Sequence, residues 1–369
     1  MSRSDDVRYM TRALALAARA AGETNPNPMV GCVVVKGGRI VGEGFHRRAG
    51  GPHAEVVALR AAGAKARGAT LYVTLEPCSI VARTPACART VRDAGVRRVV
   101  AAMRDPNPKV DGRGLAQLRR AGVQVDVGVL EDEARRLNKR FVTFMETGRP
   151  YLLLKAAMTL DGRIATARGE SKWITSPEQR RHARALRRLY DGVLVGIGTV
   201  LADDPLLLPE PAVSRPFYRL VLDSDLRLPV RSRLARTARS APVLVLSASR
   251  DARHRRRLED LGVRVLVGPR AGGRVSLRWV LRALAREGLS SVMVEGGSEV
   301  LGGFLRGRWL DEVALYRAPV LLGGRGGRPA FGGEDPARLH EALRLVGAES
   351  SLPEIWRPAP RVVRPGRLR

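Results

Sequence analysis

Residues 53–87 read HAEVVALRAAGAKARGATLYVTLEPCSIVARTPAC, and the order of patterns inside them decides the kind of domain. Residues 54–66 repeat apolar side chains at helical spacing, and residues 70–75 form a short apolar, partly β-branched run of strand length. The alternation continues outward in both directions. Upstream, 7–21 reads as a helix ending at Gly22, the Asn25-Pro-Asn-Pro28 turn leads into a strand at 30–35, and Gly37-Gly38 returns the chain into a strand at 40–45. Downstream come a helix at 86–94, a strand at 98–103, a helix at 114–121, a strand at 123–127 and a helix at 131–147. Helices alternating with strands predict a layered α/β domain.

Gly148-Arg149-Pro150 interrupts the pattern and a second α/β series begins. Its predicted strands lie at 151–158, 192–196, 218–222, 243–247, 263–267, 291–295 and 313–320. Two domains follow, 1–147 and 148–369, and 369 residues suffice for two cores. Neither half repeats the other.

Composition sets the setting. Hydrophobic residues make up 44% of the chain and aromatic ones 4%, yet no run reaches the ~18 apolar residues of a membrane span. The first ten residues carry Arg3, Asp5, Asp6 and Arg8 and lack the apolar core of a secretory signal. Three cysteines are too few and odd for a disulfide framework, which predicts a reducing, cytoplasmic compartment. The net charge of +29 invites a nucleic-acid reading. Arginine, however, is spread over helix faces such as 180–188 and 253–257, with no aromatic residues interleaved for base stacking. No nucleic acid and no membrane are expected, and the field suits a small anionic substrate. A homo-oligomer is compatible with the sequence.

His53 and Glu55 open a predicted helix, Pro77-Cys78 closes a strand, and Cys87 follows nine positions later. One imidazole and two thiolates give zinc three protein ligands and leave a fourth position for water. The metal makes that water acidic enough to ionise near neutral pH. Glu55, two residues from a ligand, reaches the water without holding the metal and serves as proton carrier. The order H-x-E then P-C is that of zinc base deaminases, though eight residues separate the cysteines here instead of two. The competing readings are a closed structural zinc or two buried thiols. A closed site has no fourth ligand at hand, since Cys32 sits inside an apolar strand, and His-x-Glu before a helix followed by Pro-Cys at a strand end favours the catalytic reading.

With Asn25-Pro-Asn-Pro-Met-Val-Gly31, Gly42-Glu-Gly-Phe-His46, Leu75-Glu-Pro-Cys78, Arg83-Thr-Pro-Ala-Cys87, Arg104-Asp-Pro-Asn-Pro108 and Gly112-Arg-Gly114, the first half resembles the bifunctional pyrimidine deaminase–reductases of riboflavin biosynthesis. The second half resembles their reductase through Lys155, Thr159-Leu-Asp-Gly162, Ser171-Lys-Trp-Ile-Thr175, Gly198-Thr-Val-Leu-Ala-Asp-Asp-Pro205, Leu222-Asp-Ser224 and Val294-Glu-Gly-Gly-Ser298. The resemblance implies a cytidine-deaminase-like three-layer domain followed by a dihydrofolate-reductase-like α/β domain. It implies zinc-dependent deamination of 2,5-diamino-6-(5-phosphoribosylamino)pyrimidin-4-one, then reduction of the ribosyl to a ribityl chain by NADPH.

Site residues carry over position by position. Asn27, His46 and Arg83 would contact the deaminase substrate. Ser171, Arg187, Leu207 and Glu295 would face the reductase substrate. Ala157, Trp173, Thr199, Asp203, Ser224 and the loop carrying Gly297, Ser298, Gly302 and Gly303 would line the NADPH site. Lys155 is the candidate for polarising the sugar oxygen. Gly196-Ile-Gly198 lacks the third glycine of a dinucleotide fingerprint and is rejected as one.

Two departures stand out. Ile80 replaces a histidine common after Pro-Cys-Ser, and Glu210 replaces an arginine expected to pair with substrate phosphate. Arg215 is expected to substitute if its loop folds back; otherwise the grip weakens by about a few kcal/mol. The alternatives are a single-function deaminase with a degenerate reductase half, a non-catalytic relative, or an editor like the tRNA adenosine deaminases.

Overall fold

The computed structural model describes residues 2–80, 86–346 and 353–358. The chain divides into two compact units, Met1–Pro150 and Tyr151–Arg369.

In the first unit helix α1 spans Arg3–Ala18. It starts four residues before the expected position because Ser2 caps it: its hydroxyl accepts from the Asp5 N–H, and the Asp5 carboxylate accepts from the Ser2 N–H. A polar first turn hides such a start from an apolar-period reading. Strands β1 (Gly31–Lys36) and β2 (Arg39–Phe45) form the hairpin, followed by α2 (Ala54–Ala62), β3 (Thr70–Val73), α3 (Cys87–Asp93), β4 (Arg98–Ala101), α4 (Arg113–Arg120) and β5 (Gln124–Val127). The sheet order is β2-β1-β3-β4-β5, with β1 antiparallel to both neighbours and β3, β4 and β5 parallel.

Side chains alternate across this sheet. Cys32, Val34, Leu71, Val73, Val99 and Ala101 join a core with residues of α2, α3 and α4. Val33, Val35, Tyr72 and Val100 face Tyr9, Met10 and Ala13 of α1 and Phe141 on the other side. Both faces are covered, so the unit has three layers. Gly44 has a specific reason: a Cβ there would lie 2.6 Å from the Ala58 backbone nitrogen, so glycine lets α2 lie directly on β2.

The single helix expected at 131–147 is two, α5 (Glu131–Leu137) and α6 (Lys139–Thr147). Between them Asn138 accepts from the Met29 N–H at 2.8 Å and donates to the Met29 carbonyl at 2.9 Å. Its amide pins the chain just after the Asn-Pro-Asn-Pro turn.

The second unit holds β6 (Tyr151–Thr159), β7 (Arg163–Ala165), α7 (Pro177–Leu186), β8 (Gly192–Gly196), α8 (Ile197–Asp203), β9 (Tyr218–Leu222), α9 (Arg233–Arg236), β10 (Val243–Ser247), α10 (Ala252–Glu259) and β11 (Arg264–Val267). A small hairpin of β12 (Arg270–Ala271) and β13 (Arg274–Val275) precedes α11 (Leu277–Arg286), β14 (Ser291–Gly296), α12 (Ser298–Arg306) and β15 (Glu312–Ala318). Short strands β16 (Arg328–Pro329), β17 (Leu345–Val346) and β18 (Glu354–Pro358) complete it. The main sheet runs β11-β10-β9-β8-β14-β6-β15-β18-β17. The seven strands from β11 to β15 are parallel, so their carboxyl ends share one edge. Leu152, Leu194, Leu220 and Leu244 pack on one face with α11 and α12, and Val193, Val221 and Val245 pack on the other with α8, α9 and α10. Among the described residues no helix is long and apolar enough to cross a membrane.

Candidate functional site

His53 is the N-cap of α2 and Cys87 the first residue of α3; Cys78 lies in the segment after β3. The His53 Nδ1 is 3.0 Å from the Cys87 Sγ and 3.7 Å from the Cys78 Sγ, and all three donor atoms fall within 4.8 Å of one another. A tetrahedral zinc with bonds of about 2.0 Å to nitrogen and 2.3 Å to sulfur separates its ligands by about 3.5 Å. One nitrogen and two sulfurs at these spacings therefore fit zinc. The backbone helps: the Cys87 N–H donates to the Cys78 Sγ at 3.4 Å. The hydrogen bond with the Cys87 thiol holds the Cys78 thiol down at about 4, against burial, and pushes Cys87 up.

Glu55 sits in the first turn of α2 and is 3% exposed. Burial pushes its carboxyl up to about 7, with its own backbone N–H opposing and the neighbouring Cys78 sulfur adding. A carboxyl poised there takes and returns a proton near neutral pH.

Asn27 and His46 complete the cluster. The His46 ring meets the His53 ring edge to face at 5.4 Å. Its Nδ1 lies 3.0 Å from the Pro52 carbonyl, which can only accept, so Nδ1 carries the proton. The Nε2 then accepts from the Asn27 amide at 3.3 Å. Burial lowers the His46 pKa, keeping the ring neutral. Arg83 lies outside the described residues, and Ile80 is exposed at the end of the described segment.

Glu76 was not singled out by sequence reasoning, although a carboxylate beside Pro-Cys in an apolar run was a visible signal. It is buried and accepts from the N–H groups of Asp105 (3.2 Å), Gly112 (2.9 Å), Gly114 (2.9 Å) and Leu115 (3.4 Å). A Cβ at Gly114 would lie 1.9 Å from the Pro77 carbonyl oxygen. The 104–115 segment is thus clamped against the Pro-Cys backbone that carries a metal ligand.

In the second unit Lys155 of β6 and Glu295 of β14 lie on adjacent strands, one step beyond the paired Leu154 and Val294. The β14–β8 register slips at Glu295, a bulge of the kind that re-aims a side chain. Glu295 accepts two hydrogen bonds from Arg187, at 2.6 and 2.9 Å, and lies 4.0 Å from the Lys155 Nζ. Burial pulls the Glu295 carboxyl up, but Arg187 and Lys155 outweigh it and the net direction is down. Burial lowers Lys155, with Arg187 assisting and Glu295 opposing. The Lys155 ammonium also stands over the Tyr316 ring at 5.4 Å, and the Tyr316 hydroxyl meets the His182 Nδ1 at 2.8 Å. Arg187 donates to the Leu208 carbonyl as well, which places the buried Leu207 (φ 55°) beside this cluster.

The expected cofactor residues scatter along the strand ends. Ala157 is on β6, and Thr199 faces the Gly296-Gly297 turn, its hydroxyl 3.4 Å from where a Gly296 Cβ would stand. Asp203 pairs with Lys172 at 2.8 Å. Ser171 and Trp173 are exposed; Trp173 lies under the Arg180 guanidinium at 4.4 Å. The Ser224 hydroxyl accepts from the Val275 N–H at 2.9 Å. Ser298 and Gly302 of α12 approach the Gly332 backbone, where a Cβ on Gly302 would lie 1.7 Å from the carbonyl oxygen. Packing therefore accounts for glycine at 302, and Gly303 faces Leu277.

The expected substitution by Arg215 is not what its loop does. Arg215 donates to the Arg188 and Tyr190 carbonyls at 2.8 and 2.7 Å, and is buried in holding that turn. Glu210 instead pairs with Arg184 at 2.5 Å.

Comparison with known proteins matches two families. Residues 3–103 match the cytidine and deoxycytidylate deaminase zinc-binding region, and residues 150–355 match the RibD C-terminal domain. The riboflavin biosynthesis protein RibD of Aquifex aeolicus is 46% identical over 325 residues, covering 88% of this chain and 89% of its own; that of Escherichia coli is 46% identical over 325 residues, with 86% and 89% covered. The Acinetobacter baumannii RibD structure superposes with a TM-score of 0.86 at 38% identity, over 97% of this chain and 100% of that one. A Thermotoga maritima structure, described as a diaminohydroxyphosphoribosylaminopyrimidine deaminase/5-amino-6-(5-phosphoribosylamino)uracil reductase, gives 0.83 at 37% identity, over 97% and 99%.

Proposed function

This chain belongs to the RibD family of bifunctional, zinc- and NADPH-dependent deaminase–reductases of riboflavin biosynthesis, and on that premise we propose how its residues divide the work. The substrate is the diaminopyrimidinone bearing a ribosylamino phosphate, the compound class for which the Thermotoga relative is described. The first unit replaces the ring 2-amino group by oxygen. The observation that carries this is the convergence of His53, Cys78 and Cys87 within 4.8 Å beside the buried Glu55.

His53, Cys78 and Cys87 would hold zinc, which would supply the Lewis acidity that makes water nucleophilic. Glu55 takes the proton from that water and returns it to the amine as it leaves; a carboxyl with a pKa of about 7 does both at neutral pH. The neutral His46 fixes the Asn27 amide, which orients the pyrimidine by hydrogen bonds. Glu76 is a positioning residue that holds the backbone carrying Cys78.

NADPH, which the residues at the strand ends of the second unit would hold, would supply a hydride to the sugar carbon attached to the amine, so that the ribosyl ring opens to a ribityl chain as its oxygen takes a proton. Lys155 polarises the sugar oxygen and delivers a proton to it, a transfer that its lowered pKa eases. Glu295, locked by Arg187, accepts from the substrate's polar groups. The three free cysteines suit a cytoplasmic setting.

Mass spectrometry of products made from the diaminopyrimidine substrate tests this. Without NADPH the expected product is deaminated only; with NADPH it is deaminated and reduced. Deamination without any NADPH-dependent change would leave a single-function deaminase.

A further inference from the structure

The carboxyl ends of β14, β8, β9, β10 and β11 form a row on one edge of the parallel sheet, in that spatial order. The expected cofactor residues Gly297, Thr199 and Ser224 follow the first three of these strands. No expected residue follows β10 or β11. There the structure has a cavity of about 540 Å³, lined by Ala248, Arg250, Arg270, Trp279 and residues 267–269.

The chemistry of this cavity is specific. The Arg250 guanidinium is exposed, with no hydrogen bond or ion pair among the described residues. Arg270 donates through Nη1 to the Gly273 carbonyl at 2.6 Å and through Nη2 to the Ser224 carbonyl at 3.2 Å and the Asp225 carboxylate at 2.5 Å. The pair with Asp225 is roughly half exposed, so it contributes little and yields readily to a stronger anion. The Trp279 ring lies flush on Gly268: a Cβ at 268 would come within 2.2 Å of the indole. Two guanidinium groups beside an aromatic face make a site for a phosphate attached to a flat, aromatic group.

Distance selects the ligand. Neighbouring strands lie about 4.8 Å apart, so the step from β14 to the gap between β10 and β11 is about 17 Å, within the reach of an extended dinucleotide. We infer that Arg250 and Arg270 bind the 2′-phosphate on the adenosine of NADPH, with Trp279 as the wall beside the adenine, and that these residues set the preference for NADPH over NADH. This rests on the reductase reading above, with the nicotinamide near Lys155 and Glu295.

The test is titration calorimetry of the full chain with adenosine 2′,5′-bisphosphate and with 5′-AMP, beside KM values for NADPH and NADH. The wild type is expected to bind the bisphosphate about tenfold or more tightly than 5′-AMP. Arg250→Ala should cut that preference about tenfold, leaving the 5′-AMP affinity and the NADH KM within about twofold. Arg270→Ala should act in the same direction. It also releases the link to Ser224, so the exposed Arg250 is the cleaner variant. An Arg250→Ala protein that melts like the wild type and keeps its preference for the bisphosphate overturns the inference while the reductase reading stands. A wild type that neither binds nor oxidises NADPH overturns the reductase reading, and this inference with it.

Discussion

Each half of the molecule carries a glutamate at the centre of its candidate site, and the two are driven in opposite directions. Glu55 starts a helix beside two sulfurs, with no cation bonded to its carboxylate among the described residues, and burial lifts it to about 7. Glu295 sits on a strand bulge between Arg187 and Lys155, which hold it below the usual carboxylate range despite burial. The difference assigns roles. A carboxyl near 7 exchanges protons, whereas one clamped by two cations stays an anion and positions what is bound to it.

The largest effect on this contrast should come from the metal ligands. Cys78→Ser, or stripping the protein with a chelator, should abolish zinc content and deamination together; reduction of an already deaminated substrate should continue at the wild-type rate. Metal analysis and ammonia release measure the first half, and NADPH absorbance the second.

Glu295→Gln should come next. It leaves Arg187 and Lys155 buried without their counter-charge, a loss of about 3 kcal/mol in the second unit, together with loss of reduction. Calorimetry should show that unit melting earlier while deamination persists. Glu76→Gln should cost about 2 kcal/mol in the first unit, because an amide meets one or more of its four N–H donors with the wrong end. Zinc should be retained while deamination falls.

The smallest effect is in pH. The lowered Glu295 contributes stability that is fully present above about pH 4.5, its ordinary value, and is lost as pH falls through its lowered one. The raised Glu55 acts the other way: in the metal-free protein the first unit should lose stability as pH rises from about 4.5 through 7. Denaturant melts across that range should show the slope, and Glu55→Gln should remove it.

Much of this was legible in the sequence. The strands at 192–196, 218–222 and 243–247 stood out as bounded apolar runs, and His53, Cys78 and Cys87, with Glu55 beside the first, were readable as a donor set with its proton carrier. What stayed hidden depended on long-range partners. Asn138 splits a helix because its amide reads the backbone of Met29, 109 residues away, and no local propensity encodes that. Glu76 looked like one more strand residue until four N–H groups from the 104–115 segment converged on it. Arg215 sat close enough in sequence to replace the arginine lost at Glu210, yet the turn at 188–190 uses it. The cavity beside Arg250 needed the order of the sheet, which puts β10 and β11 at the end of the row.

The central claim is that Glu55 carries the proton for deamination, in a site independent of the reductase. The direct measurement is product analysis of Glu55→Gln given the diaminopyrimidine substrate, beside NADPH oxidation by the same protein given the deaminated substrate. Deamination should fall by about 10²–10⁴-fold with zinc still bound, while NADPH oxidation keeps its wild-type rate. Deamination at the wild-type rate in that variant would contradict the account.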